Sequence, residues 1–386
     1  MSTLSEAARA SRTGRIERVT QRMDQLGVDA LLLSHGADLP WLTGYWAMPL
    51  ERLTMLVLGP ATEPVLVVPA LEAPRVPEAK GLFTLLPWTD DEDPVELVAS
   101  QLDRPAGPRA GTIRLAISDR AWATTVLALQ RRLPMAEWID SSVVTSPIRA
   151  IKDVAELSAL RKAGAAADRV ANVLQNGGIH LVGRTEVEVS AEISSRLIAE
   201  GHQQVNFAIV GSGPNAASPH HQPGERVIGR GETVVCDFGG TFSVDGDVGY
   251  CSDITRTVVT GPPSPSIAQC YEVLLRAQQA AVSSACAGVT AEQVDQVARS
   301  IIAAAGFGEY FVHRTGHGIG IEEHEDPYLV SGNSQPLQPG HAFSVEPGIY
   351  VPDQFGMRLE DIVVIADDGA PEPLNSADHG LIVVDA

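Results

Sequence analysis

The sequence predicts an α+β protein in two parts: a small α/β domain over residues 1–147, then a duplicated, pseudo-twofold α+β domain over 148–386. Three observations carry this expectation. Short apolar strands alternate with helical patterns in the first part. A stretch containing Pro147, SSVVTSPIRAIKD (141–153), then interrupts regular structure before a long Ala-rich helix starting near Asp153. Beyond it, one helix signature and one acidic hairpin each occur twice at nearly the same spacing.

In chain order, Ile16, Val19, Met23 and Leu26 fall at helical spacing, and Gly27 ends that helix. DALLLSH follows as a buried strand, and TMLVLG and PVLVVPA read as two more strands around a Gly-Pro turn. Helical patterns near 93–102 and 121–132 flank a strand in TIRLAIS. No cluster of metal-ligating residue types occurs in this part. Trp41, Tyr45 and Trp46 are read as packing residues rather than as a substrate surface.

The second part echoes itself. GRTEVEV (183–189) precedes a helix ending at Gly201, and GVTAEQV (288–294) precedes one ending at Gly306, so both glycine pairs are 105 residues apart. Thr185 with Glu188, and Thr290 with Gln293, fit capping boxes. In 343-FSVEPGIYVPDQFGMRLEDIVVI-365, two β-branched-rich strands flank a turn containing Pro352, Asp353 and Gly356. Glu346 and Glu360 are equidistant from Asp353, which sets them opposite each other in a simple hairpin. In 233-TVVCDFGGTFSVDGDVGYCSDITRTVVTG-261, Asp237 and Asp253 are equidistant from the Asp245-Gly246 turn. Asp237 precedes Glu346 by 109 residues and Asp253 precedes Glu360 by 107. Opposed carboxylates on a half-buried sheet repel and are costly to desolvate unless a cation lies between them. Between the hairpins, 314-RTGHGIGIEEHED-326 holds His317 and His324, with glycines around His317 that permit close backbone approach. Four hairpin carboxylates and one imidazole suit two hard or borderline divalent cations such as Mn, Co, Zn or Fe.

Composition narrows the partners. The 386 residues carry a formal charge of −20, which opposes nucleic acid and anionic membrane as partners. Two divalent cations would reduce that to about −16, leaving a solvated acidic surface. No run approaches the roughly 18 apolar residues of a membrane-spanning helix. MSTLSEAARASRTGR has no apolar core of a secretory signal, so the expected compartment is the cytoplasm. If Asp237 and Asp253 share a sheet face, period-2 alternation sets Cys236 and Cys251 on opposite faces, and these two with Cys270 and Cys286 are expected as free thiols.

The segments SGPNAASPHHQP, DFGG…GYCSDITRT, HRTGHGIGIEEHEDP, FSVEPGIY and GMRLEDIV resemble the prolidase/aminopeptidase P metallopeptidases, which have the pita-bread fold. The resemblance spans the chain, the first part matching in layout as a creatinase-like N-terminal domain. It implies Asp237, Asp253, His317, Glu346 and Glu360 as ligands of a two-metal centre, with Mn foremost. His220, 17 residues before Asp237, and His324, seven after His317, fall at the offsets of the family's substrate-contacting histidines. His221 is the adjacent rival and is expected to point away. Glu346 is implied as both ligand and proton acceptor. Arg358, on the strand face of Glu360, is expected to brace a ligand carboxylate or to meet substrate. Tyr328 stands where several prolidases carry an arginine for the dipeptide's carboxylate, just after H-E-x-P. Arg358, His220 or a residue of the first domain is the expected substitute. SVDGD lengthens the first hairpin relative to the family, which leaves Asp245 and Asp247 as disfavoured rivals for ligation.

The resemblance implies hydrolysis of the bond preceding proline, in Xaa-Pro dipeptides or short Xaa-Pro peptides, by a hydroxide bridging two metals. His324, protonated or donating, would stabilise the oxyanion, and a homodimer is expected. Two alternatives stay open: a metal-dependent lyase or hydrolase on a non-peptide substrate, and an inactive binding protein on the same fold. The intact ligand set and acidic balance weigh against the second.

Overall fold

The structure is a computed structural model and describes residues 6–60, 62–77, 81–102, 112–244 and 247–385. One compact unit ends at Arg149 and the other begins at Ala150; the hairpin-tip residues Asp247 and Val248 group with the first. Asp245 and Gly246, the expected turn, lie outside the described residues. Among the described residues no helix is long and apolar enough to cross a membrane.

The first unit runs α1 (Glu6–Leu26), β1 (Ala30–Leu33), α2 (Asp38–Thr43), β2 (Met55–Leu58), β3 (Val65–Pro69), β4 (Thr84–Trp88), α3 (Pro94–Leu102), β5 (Arg114–Ile117), α4 (Ala123–Arg132), β6 (Glu137–Asp140) and α5 (Ser142–Arg149). Its sheet has the order β4-β3-β2-β1-β5-β6. The expected strands and helices are present, and Gly27 ends α1 at φ 65°. Trp41 and Tyr45 are buried, in accord with packing, while Trp46 is exposed. The expectation that Pro147 breaks regular structure is corrected, because it lies inside α5. Its missing N–H removes one backbone bond from a short helix. Thr145 and Arg149 anchor the helix by donating to Asp38, each at 2.8 Å.

The second unit begins with α6 (Val154–Gln175), where Asp153 and Glu156 form a complete capping box. Then come α7 (Glu186–Ala199), β7 (Gln204–Ser212), β8 (Thr233–Phe242), β9 (Tyr250–Cys251) and β10 (Ile254–Val259). The second half follows as α8 (Pro265–Ser284), α9 (Ala291–Ala304), β11 (Gly316–Gly318), β12 (Glu325–Leu329), β13 (Ala342–Val345), β14 (Gly348–Val351), β15 (Phe355–Arg358), β16 (Asp361–Ile365), β17 (Pro371–Pro373) and β18 (Ile382–Val383). The duplication is visible in the helices: α7 and α9 each have 14 residues and start 105 residues apart. Thr185 and Glu188 close a reciprocal cap, and Gln293 accepts from the Thr290 N–H at 2.9 Å. Each half has its own core. One gathers around Phe238, Leu174 and Ile193, the other around Phe343, Leu274 and Ile302. A fully buried side chain of this kind contributes roughly 1.5–3 kcal/mol.

The two halves place the acidic hairpins in two sheets, β18-β10-β8-β7 and β12-β11-β13-β16-β17. In the second hairpin Val345 pairs with Asp361 and Gly348 with Arg358, so the ribbon keeps the register in which Glu346 faces Glu360. The simple hairpin is nevertheless broken there: both glutamates lie between strands, where Pro347 cannot donate to the ladder. Their own N–H groups donate elsewhere, Glu346 to Thr315 at 2.7 Å and Glu360 to Thr255 at 3.2 Å. Gly356 is not in the turn but opposite Tyr350 in β15, where a Cβ would lie 1.8 Å from the Ala216 carbonyl oxygen. The first hairpin departs by two residues. Asp237 pairs with Thr255, not Asp253. The ladder breaks at Ser252–Asp253, whose Ser252 Oγ donates to His202 Nε2 at 2.8 Å.

Candidate metal centre and cleft

The five expected ligands line one cleft of about 480 Å³ in the second unit. Asp253, His317 and Glu360 each bring one ligand-type atom to within 4.8 Å of the others. His317 Nε2 lies 3.2 Å from Glu346 Oε1 and 3.7 Å from Asp253 Oδ2. His317 sits on β11, squeezed between neighbouring strands. A Cβ at Gly316 would lie 1.8 Å from the Ser344 carbonyl oxygen, and one at Gly318 2.2 Å from that of Asp326. Glycine therefore serves close approach here, as its placement around His317 predicts.

Hydrogen bonds aim each donor inward. His317 Nδ1–H donates to the Gly318 carbonyl at 3.1 Å, which turns the Nε2 lone pair toward the carboxylates. Thr255 Oγ1 donates to Glu360 Oε2 at 2.7 Å, and Ser344 Oγ to Glu346 Oε1 at 3.2 Å. Arg358, 3% exposed, braces Asp237 Oδ2. Its other donors go to Thr255 Oγ1 at 3.0 Å, the Tyr350 hydroxyl at 2.9 Å and the Pro219 carbonyl at 3.2 Å. Arg256, fully buried, ties the hairpins together by donating to the Glu360 carbonyl at 2.6 Å and to Asp361 at 2.8 Å.

What remains is charge without a partner. Asp237 Oδ1, Asp253 Oδ1 and Glu360 Oε1 are buried and accept no hydrogen bond. Burial, then Glu360 and Asp237, pushes the Asp253 carboxyl well above the usual carboxylate range. Burial, then Glu346 and Asp237, does the same to Glu360. Asp237 is raised by burial against the opposing pull of Arg358. Burial would raise Glu346 as well, but the hydrogen bond and charge of His317, with His313 and Arg358, hold it near 2. Three orphaned carboxylate oxygens facing one imidazole lone pair fit divalent cations, the hard-to-borderline donor set expected for them. Asp247, the disfavoured rival, pairs with Arg12 instead; Asp245 lies outside the described residues.

The cleft rim holds His220, His324 and Arg358 as expected, with Phe207, Ile209, His313, Arg314 and Glu323. His221 turns away and bonds Glu186 at 2.7 Å. Buried Glu186 also accepts from Ser212 and Asn215, so it pins the segment that carries His220. The His324 ring packs against His317, tilted by 46° with centroids 3.9 Å apart. Partial burial, then His317 and Arg314, lowers its pKa to about 4, so the protonated alternative gives way to a neutral ring. Arg314 Nη2 donates to its Nδ1 at 3.3 Å, which leaves the ring proton on Nε2. Tyr328 does not line the cleft; its ring supports the Arg314 guanidinium, 4.4 Å from the centroid.

Sequence reasoning missed His313, Tyr350 and Arg314. His313 Nδ1–H donates to the Arg314 carbonyl at 2.7 Å, so its Nε2 accepts from the Tyr350 hydroxyl at 2.9 Å. The available signal was the H-x-x-x-H spacing of His313 and His317. All four cysteines are free, in accord with expectation.

Comparison with known proteins places these features. The model of metallopeptidase family M24 matches residues 158–367, and that of the creatinase/prolidase N-terminal domain matches 15–151. A probable dipeptidase PepE of Mycobacterium tuberculosis is 44% identical over 362 residues, covering 93% of this chain and 92% of that protein. An Xaa-Pro dipeptidase of Lactobacillus delbrueckii subsp. lactis is 35% identical, covering 92% and 95%. Among solved structures, a prolidase from Thermococcus sibiricus superposes with a TM-score of 0.87 at 36% identity, covering 96% of this chain and 99% of that one.

Proposed function

Because the chain belongs to metallopeptidase family M24, a family whose name implies divalent metal, we propose that it hydrolyses the peptide bond preceding proline in Xaa-Pro dipeptides or short Xaa-Pro peptides. The observation that carries this reading is the set of orphaned buried oxygens on Asp237, Asp253 and Glu360, turned with His317 into a cleft open to substrate. Residues 1–147 act as the creatinase-like N-terminal domain and 148–386 as the catalytic one. The protein works in the cytoplasm as a homodimer.

Asp237, Asp253, His317, Glu346 and Glu360 hold two divalent ions, with Mn foremost. When bound, such ions lower the pKa of a water held there from about 15.7 towards about 7 and polarise a neighbouring carbonyl. Glu346, ionised at neutral pH, takes the proton of the attacking water and returns it to the departing proline nitrogen. His324 presents Nε2–H as a neutral donor to the oxygen that becomes negative. His220 contacts the substrate from the rim. Arg358 keeps Asp237 oriented, and its bonded donors favour bracing over substrate contact.

The test is turnover of Ala-Pro and of an Xaa-Pro, Xaa-Pro-Xaa and longer series, with Mn restored after chelation. Activity that vanishes with chelation and returns with metal supports the reading; absence of turnover on every member of the series defeats it.

A further inference from the structure

Read only as a joint between two domains, the connector has no task in the site. Its last residues nevertheless reach toward the chemistry. Lys152 stands just inside the second unit, which begins at Ala150, and its side chain is 1% exposed. The ammonium donates to Glu325 Oε1 at 2.5 Å and to the Ala150 carbonyl at 3.4 Å. The backbone beneath it is fixed as well. The Lys152 N–H donates to the Gly340 carbonyl at 2.9 Å, and Ile151 forms a bridge with His341.

Glu325 opens β12 and is the residue next to His324. It is buried, and it pairs with Gly318, the neighbour of His317 in β11. Its carboxylate lies against the glycine arch that follows: a Cβ on Gly320 would stand 2.5 Å from Glu325 Oε1. The Gly320 carbonyl in turn accepts from the Cys251 N–H at 2.7 Å. Glu325 is thus a fixed point between the strand of His317 and the bend that carries His324. Two buried opposite charges are costly to desolvate, and apolar side chains of similar volume hold a fold as well or better. What the pair adds is direction, since an ammonium tethered by the connector restricts where the carboxylate can lie.

We propose that Lys152 and Glu325 are positioning residues: their buried ion pair holds the backbone at 325 and so keeps His324 aimed into the cleft. The proposal rests on the Xaa-Pro hydrolase reading above and on the part His324 plays in it. A donor to the developing oxyanion counts only in the transition state, so misplacing it lowers kcat and leaves KM alone. A displacement of about 1 Å at such a group costs up to about 100-fold in rate.

The test measures kcat and KM for Ala-Pro, Mn content and urea unfolding on the full-length, Mn-loaded protein. One variant combines Lys152→Met with Glu325→Leu; a second is Glu325→Gln; each is also made with His324→Ala. The apolar pair should unfold at or above the wild-type urea midpoint. It should keep its Mn and lose about 10- to 100-fold in kcat, with KM within about twofold of the wild type. Glu325→Gln keeps the shape and an acceptor for Lys152. It should lose part of kcat in the same pattern, and it decides the question if the apolar pair does not fold. With His324→Ala in place, either change should cost no more than about twofold further, because the group it positions is gone. Wild-type kcat in both variants, a loss confined to KM or to Mn content, or a loss that adds in full to that of His324→Ala overturns the assignment while leaving the hydrolase reading intact. Wild-type kcat in His324→Ala alone does the same. If the wild type cleaves no Xaa-Pro substrate, the hydrolase reading fails and this assignment falls with it.

Discussion

Cation binding at the centre should release protons, and the metal-free fold should lose stability as pH rises. Without cations, Asp253 and Glu360 are pushed well above the usual carboxylate range, burial being the first cause in each. In the unfolded chain the same groups titrate near the ordinary value of about 4. Between those values the folded state holds protons that the unfolded state has lost, so unfolding free energy falls with rising pH. Each such group contributes a slope of about 1.4 kcal/mol per pH unit, and the two together about 2.7. Buried histidines tilt the other way. His341 is lowered to about 4 by burial and Lys152, and His202 is lowered by burial. Neither is a proposed ligand, so they cancel when metal-free and metal-loaded protein are compared at the same pH.

Two assays read this. Titrating Mn calorimetrically into chelated protein near pH 6, in buffers of different ionisation enthalpy, should give about one to two protons released per chain, fewer as pH rises. Urea unfolding should give a gap between loaded and chelated protein that widens with pH by about 1.4–2.7 kcal/mol per unit across the same window. Glu360→Gln, which cannot hold the proton, should release about one fewer. Parallel pH–stability curves with no proton release would mean that the carboxylates are already ionised without cations, and the electrostatic argument for the centre would be wrong.

Two further changes probe the scaffold. Gly316→Ala puts a Cβ 1.8 Å from the Ser344 carbonyl oxygen; the expected loss is at least about 3 kcal/mol in urea unfolding. Gly14→Ala, in α1 with nothing within 4 Å, should instead gain about 0.5–1 kcal/mol. Glu186→Gln sets an amide against the donors of His221, Asn215 and Ser212. The expected result is about a tenfold fall in kcat/KM for Ala-Pro with metal content unchanged, because the segment carrying His220 loosens while the centre does not.

The parts of this molecule legible in the sequence are those encoded by short-range rules. Helix caps at Thr185 and Asp153, the 105-residue echo and the Glu346–Glu360 register each follow from spacing within one element or one hairpin. The Asp237–Asp253 pairing was misplaced by two residues, because symmetry about a turn assumes an unbroken ladder. His202 and Ser252, 50 residues apart, break it. That Arg358 braces a ligand carboxylate was legible from its strand face, but that the carboxylate is Asp237, 121 residues away, had no local signal.

The contact of Arg314 with Tyr328 lies between these cases. Taken as a string, Arg314 and Tyr328 are 14 residues apart, and the arginine expected after H-E-x-P is absent. In the fold, Gly316 pairs with Leu329 while Gly318 pairs with Glu325, so the register slips between them. Because of that slip the strand partner of Arg314 cannot be assigned from residue numbers. With it, the Thr315 N–H meets the Leu329 carbonyl at 3.0 Å, and Arg314 is carried across the ring of Tyr328. The ring that stands where the resemblance implies an arginine is thus the platform for the Arg314 guanidinium. Removing the ring in Tyr328→Leu should therefore loosen the guanidinium without touching its charge, and with it the Arg314–His324 contact that holds the His324 proton on Nε2; a fall in kcat for Ala-Pro at unchanged metal content checks this.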